Sequence, residues 1–144
     1  MSKVLTVASA LIFITAIMGV ILGLIMLFLA PWEGEVFGVT ASQVNTFNPL
    51  LMEKITLLIR FHGLYLFGLG LTLCFFSLVQ FRRGEKWAWY LILVVFGFAL
   101  IGQLILVYLG SNVMAAFYLP SSVLLVILWA LGLVLPVKEF FKQA

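Results

Sequence analysis

The chain has 144 residues, of which 65% are hydrophobic and 9% charged, with a formal net charge of +3. Soluble domains are about 45–50% apolar and about 25% charged, and a small domain leaves too much surface in water to hide such a composition. A water-soluble globular domain is therefore excluded, and lipid is the solvent for most of the chain. The length allows one domain, residues 1–144. A single cysteine, Cys74, excludes an intrachain disulfide and reads as a small packing group inside an apolar run.

The first apolar stretch, 4–30, carries no charge. It exceeds the roughly 7–15 residues of a signal-peptide core, and Pro31 stands where a cleavage site needs a small residue. It reads as a retained membrane helix. After it, "TASQ" at 40–43 fits a capping box, and Asn48 before Pro49 fits an N-cap with proline at the first helical position. These signals predict a short helix near 41–47 at the outer interface, then a second span over 50–80. The third span, 87–109, has 23 residues, about 34 Å at helical rise, enough for a hydrocarbon core of about 30 Å. The fourth is less simple, because the 15 residues between Pro120 and Pro136 reach only about 22 Å. They need an extension, upstream through "NVMAAFYLP" or downstream past Pro136. The upstream extension is preferred, because neighbouring helices satisfy the carbonyl that a proline frees, and it gives a span over 114–135. No long alternating pattern occurs, so a β-barrel is excluded. The predicted fold is an all-α integral membrane bundle of four transmembrane helices.

Charge sets the expected orientation. Lys3 precedes the first span, Arg82, Arg83 and Lys86 lie between the second and third, and Lys138 and Lys142 follow the fourth. The 31–52 segment carries Glu33 and Glu35 and no basic residue. Lysine and arginine collect on the cytoplasmic side, so both termini and the middle loop are expected inside a membrane, with a prokaryotic plasma membrane as its setting. Trp87 and Trp89, with Tyr90, then anchor the inner boundary beside Arg82, Arg83 and Lys86, and Trp32 marks the outer one. The positive charge accordingly reflects orientation and membrane lipids as partners, not nucleic acid.

Pro31 after the first span, "VFG" at 36–38, a short polar helix and "RFHGLYLFGLGL" at 60–71 resemble the small four-helix membrane proteins of the DoxX-like type. The "FRRGEKWAW" turn at 81–89 is similar to one that recurs in uncharacterised prokaryotic membrane proteins. The resemblance covers roughly residues 28–105. It implies the four-helix architecture and, for some members, a place as a small subunit of quinone-linked oxidoreductases. It carries over no functional residues.

Arg60 and the lone histidine, His62, stand inside the second span. Residues two apart on a helix differ by about 200°, so the two point to nearly opposite faces. Arg60 shares a stripe with Thr56, Gly63, Phe67, Gly70, Cys74 and Ser77, whose small residues predict contact with a neighbouring helix. His62 shares the other face with Tyr65, one turn on. In the first span, Gly19 and Gly23 stand at Gly-xxx-Gly spacing, with Thr15 a turn further in, which favours close approach. Arg60 lies about 9 Å inside the outer interface and Gln103 of the third span at a similar depth. An intramembrane arginine is costly unless it snorkels or finds partners. Three settings would hold it: the outer headgroups, a salt bridge to Glu53 or a loop glutamate, or a ligand. The candidate ligand-binding residues are thus Arg60, His62, Gln103, Tyr65 and Glu53.

With no aspartate, one histidine and one cysteine, the chain holds no set for a zinc or iron–sulfur site and no Ser–His–Asp triad. No phosphate-binding loop or dinucleotide fingerprint occurs. No catalytic residue is assigned and no cofactor is predicted. Three readings survive. The first, favoured by the scarcity of catalytic groups, is an accessory, assembly or structural subunit, self-associating or bound to other membrane subunits. The second is a binder of lipid or quinone in an outward-opening polar pocket, and the third an enzyme using that pocket with His62 as acid–base. A filled interior at the Arg60 level favours the first and an open one the second.

Overall fold

The computed structural model describes residues 2–28, 35–36, 39–109 and 112–141. Trp32, Glu33, "FG" at 37–38 and Lys142 lie outside the described residues. Among the described residues four helices are long and apolar enough to cross a membrane. The first is α1 (Lys3–Phe28). The second is α3 (Pro49–Phe76), continued by a π-helical segment, Ser77–Phe81. The third runs through α4 (Lys86–Leu91), a second π-helical segment (Ile92–Phe96) and α5 (Gly97–Leu109). The fourth, Ser122–Phe141, takes in the second half of α6 (Asn112–Val134) and, past Pro136, the short α7 (Val137–Phe141). Helix α6 runs upstream through Pro120, while the stretch long and apolar enough to cross a membrane runs downstream across Pro136 to Phe141.

Between the first two spans, strands β1 (Glu35–Val36) and β2 (Val39–Thr40) pair antiparallel, Glu35 opposite Thr40. Helix α2 (Ala41–Phe47) follows. Its start is set by Thr40, whose Oγ1 accepts the Gln43 N–H at 3.2 Å while Gln43 Oε1 accepts the Thr40 N–H at 2.8 Å. Asn48 Oδ1 caps α3 by accepting from Leu50 and Leu51, and Pro49 fills a position whose N–H has no helical partner.

Only 22% of the apolar window of each of the first three spans is buried, and 33% of the fourth. Most of this apolar surface therefore faces outward, as a bilayer solvent requires and water would not tolerate. What is buried follows helical stripes. On α1 these residues are Ala8, Ser9, Ile12, Thr15, Ala16 and Gly23; on α3 they include Gly63, Gly70 and Leu73.

Glycine makes the α1–α3 contact unusually close. A Cβ placed on Gly23 would fall 2.5 Å from the Phe67 nitrogen and 2.7 Å from the Gly63 carbonyl oxygen. At Gly70 it would fall 2.7 Å from the Val20 nitrogen. No side chain fits there, so the two backbones pack against each other. Gly132 of α6 similarly receives Ile12 of α1, at 2.7 Å from its would-be Cβ.

Both π-helical segments are tied to a neighbour through their first carbonyl. Buried Ser9 of α1 donates its hydroxyl to the Ser77 carbonyl, and buried Trp129 of α6 donates its indole N–H to the Ile92 carbonyl at 3.3 Å. Trp89 Nε1 donates to the Leu133 carbonyl at 3.0 Å, closing the third span on the fourth. Such bonds gain from surroundings where an unpaired polar group has no water.

The turn at 82–85 places Gly84 at φ +77, a left-handed conformation that favours glycine, with a Leu5 methyl carbon 3.7 Å from where its Cβ would be. Phe81 and Phe140 stack nearby at 5.0 Å between centroids. The start of α1, this turn and α7 thus meet at one end of the bundle, bringing Lys3, Arg82, Arg83, Lys86 and Lys138 to that end.

Candidate functional site

Residues of all four spans line a partly open cavity of about 80 Å³. It arises where small residues face one another. Ala16 and Gly19 of α1, Gly70 of α3 and Ala99 of α5 all line it. At Gly19 the α1–α3 contact is already looser: a Cβ there would sit 3.7 Å from the Gly70 Cα. Larger apolar walls come from Leu22, Met26, Leu66, Leu69, Leu73, Phe96, Leu100 and Leu125.

Three polar side chains interrupt the apolar lining: Thr15 of α1, Gln103 of α5 and Ser122 of α6. The Thr15 hydroxyl donates to the Leu11 carbonyl at 3.1 Å, which leaves its oxygen lone pairs as acceptors. Gln103 is half-buried and brings an amide with both donors and an acceptor. Among the described residues no ionisable side chain lines the space, so an ion inside would lack a counter-charge from them, at heavy cost in so apolar a setting. A neutral apolar occupant with at most a weakly polar group is what these walls accept.

The residues singled out from sequence do not all meet here. Gln103 lines the cavity; Arg60, His62, Tyr65 and Glu53 do not. Glu53 and Arg60 are exposed on α3, and Arg60 takes part in an interaction within the protein. The inward stripe expected on this helix holds for Gly63, Gly70 and Ser77, which are buried, and not for Arg60. Arg60 precedes Gly63 by three residues, about 60° short of a full turn, enough to move it from the contact onto its flank. His62 is half-buried and reaches Tyr65, with ring centroids 6.3 Å apart and a 34° tilt. At the other end of the bundle Trp89 joins Tyr90 and Phe141 in edge-on contacts, Lys86 Nζ lies 5.9 Å from the Phe141 ring centroid, and Trp87 packs on Phe76.

Sequence reading passed over Ser122, Ala99 and the leucine walls. Phe96, Leu100 and Gln103 recur at i, i+4 and i+7, a one-face pattern available in the sequence, but the equally apolar outer faces hid it. Among the described residues no group of three or more His, Cys, Asp or Glu gathers to hold a metal. Comparison with family models, curated proteins and solved structures finds no match for this chain.

Proposed function

We propose that the chain is an integral membrane protein without chemistry of its own that holds the hydrocarbon chain of a lipophilic molecule, a lipid or quinone tail, in its central cavity. The observation that carries this reading is the apolar cavity walled by all four spans. Its volume corresponds to about five to eight water-sized spheres, well below the roughly 300–1,000 Å³ of pockets that engulf a whole drug-sized ligand. The occupant is therefore a chain end, with its headgroup outside the bundle. Gln103, Thr15 and Ser122 offer neutral hydrogen bonds to an ester, carbonyl or hydroxyl near that chain.

In this reading the protein serves as an accessory component of the membrane, alone or beside other subunits, in keeping with the DoxX-like resemblance of its "RFHGLYLFGLGL" segment. Both termini face the cytoplasm of a prokaryotic cell, and α2 lies on the opposite surface. The gathering of Lys3, Arg82, Arg83, Lys86 and Lys138 at one end supports this orientation.

The test is mass spectrometry of lipophiles that co-purify with the protein in a mild detergent. The wild type should retain a defined lipid or quinone. Ala99→Phe, which fills the cavity, should lose it while keeping its thermal stability. Equal retention by both proteins, or no retained lipophile, overturns the reading.

A further inference from the structure

A second pocket opens at the basic end, outside the cavity described above. It has a volume of about 450 Å³ and is lined by Ser2, Leu5, Leu78, Val79, Arg82 and Arg83. Its two halves differ in chemistry. Arg82 and Arg83 are exposed and adjacent on the turn that follows the second span. Leu5 belongs to the first turn of α1 and Leu78 and Val79 to the end of the second span, and Leu78 is 47% exposed. Ser2 stands at the start of α1, where it accepts at 3.2 Å from Thr6 N–H. The preceding amides of that first turn have no intrahelical partner and add positive potential there.

We infer that this pocket seats one anionic phospholipid, its phosphate between the Arg82 and Arg83 guanidinia and its acyl chain along Leu5, Leu78 and Val79. Planar guanidinium groups match phosphate oxygens with paired N–H donors. A free phosphate would satisfy the arginines but not the leucine side of the pocket. A zwitterionic lipid would satisfy the apolar side but bring its own cation toward the arginines. An anionic amphiphile fits both halves. The site also lies where such a lipid must be, at the junction between apolar spans and a charged turn. The inference depends on the spans crossing a bilayer and is independent of what occupies the central cavity.

The experiment is native mass spectrometry of the full chain in detergent, titrated separately with phosphatidylglycerol, phosphatidylcholine and inorganic phosphate. The wild type should prefer phosphatidylglycerol over phosphatidylcholine. Arg82→Gln and Arg83→Gln should each reduce that preference about five-fold, and raised ionic strength should reduce it too. Lys54→Gln, on α3 near the opposite end, should leave it unchanged. Arg82→Lys, which keeps the charge but loses the fork, should retain part of it and guards against a folding defect in the glutamine variants. Millimolar inorganic phosphate should neither bind detectably nor displace the lipid. Equal binding of the two lipids, an unchanged preference in both glutamine variants, or capture of inorganic phosphate in place of lipid overturns the inference.

Discussion

Gly23 and Gly63 meet backbone to backbone across α1 and α3, each placed so that a Cβ on one would lie 2.7–2.8 Å from the carbonyl oxygen of the other. The contact is reciprocal and has no flexible side chain that could yield. Gly68, on the same helix, has nothing within 4 Å of its would-be Cβ. Gly63 and Gly68 should therefore respond to alanine with opposite sign. Gly63→Ala should destabilise the bundle by about 1–3 kcal/mol through overpacking. Gly68→Ala should be neutral or stabilise by up to about 1 kcal/mol through helix propensity. Thermal unfolding of both variants in one detergent checks this, and equal effects would contradict the packing.

Trp129 and Gly97 form a second matched pair, because a Cβ at Gly97 would lie 2.7 Å from the outer edge of the indole ring. Trp129→Phe should cost about 0.5–1.5 kcal/mol for the lost bond to the Ile92 carbonyl, plus a part for the smaller ring. Gly97→Ala alone should overpack. In a double-mutant cycle the smaller ring should relieve that strain, so the double variant should be more stable than the sum of the single effects predicts. Strict additivity would mean that the ring does not occupy the notch.

The four spans, the capping box at Thr40 and the glycine contact between α1 and α3 were legible because each has a local signature: length and hydropathy, a Thr–x–x–Gln pattern, and small residues at helical spacing. Other features left no such trace. Exposed Leu64 and Leu71 are as apolar as buried Leu73, so polarity does not mark the inward face, and the cavity walls went unread. The π-helical segments at 77–81 and 92–96 shift the hydrogen-bond register without demanding particular side chains. Arg60 shows the limit of a stripe drawn from spacing alone: about 60° around the helix separates buried Gly63 from exposed Arg60.

Orientation is open to a labelling test. In a Cys74→Ser background, a cysteine at Glu85 should be protected from a membrane-impermeant thiol reagent in intact cells, and one at Gln43 should react. Labelling at position 85 but not at 43 would reverse the proposed topology.

Among the described residues Gln103 is the one amide side chain lining the central cavity, whose other walls are mostly leucine, and half-burial of an amide there carries a desolvation cost. If it is kept for a ligand, Gln103→Leu should raise stability by roughly 1 kcal/mol in detergent stripped of lipid. The same variant should weaken retention of lipophiles that carry a carbonyl or hydroxyl more than that of plain hydrocarbons. A loss of stability would instead assign Gln103 to holding the bundle together.

Occupancy of the central cavity by a hydrocarbon chain is tested most directly by electron paramagnetic resonance of a fatty chain spin-labelled near its end, added to the purified protein in detergent. A strongly immobilised spectral component should appear with the wild type, disappear with Ala99→Phe, and persist with Arg60→Met, whose side chain does not line the cavity. An immobilised component of the same size in Ala99→Phe, or none in the wild type, would contradict the binding of a chain between the four spans.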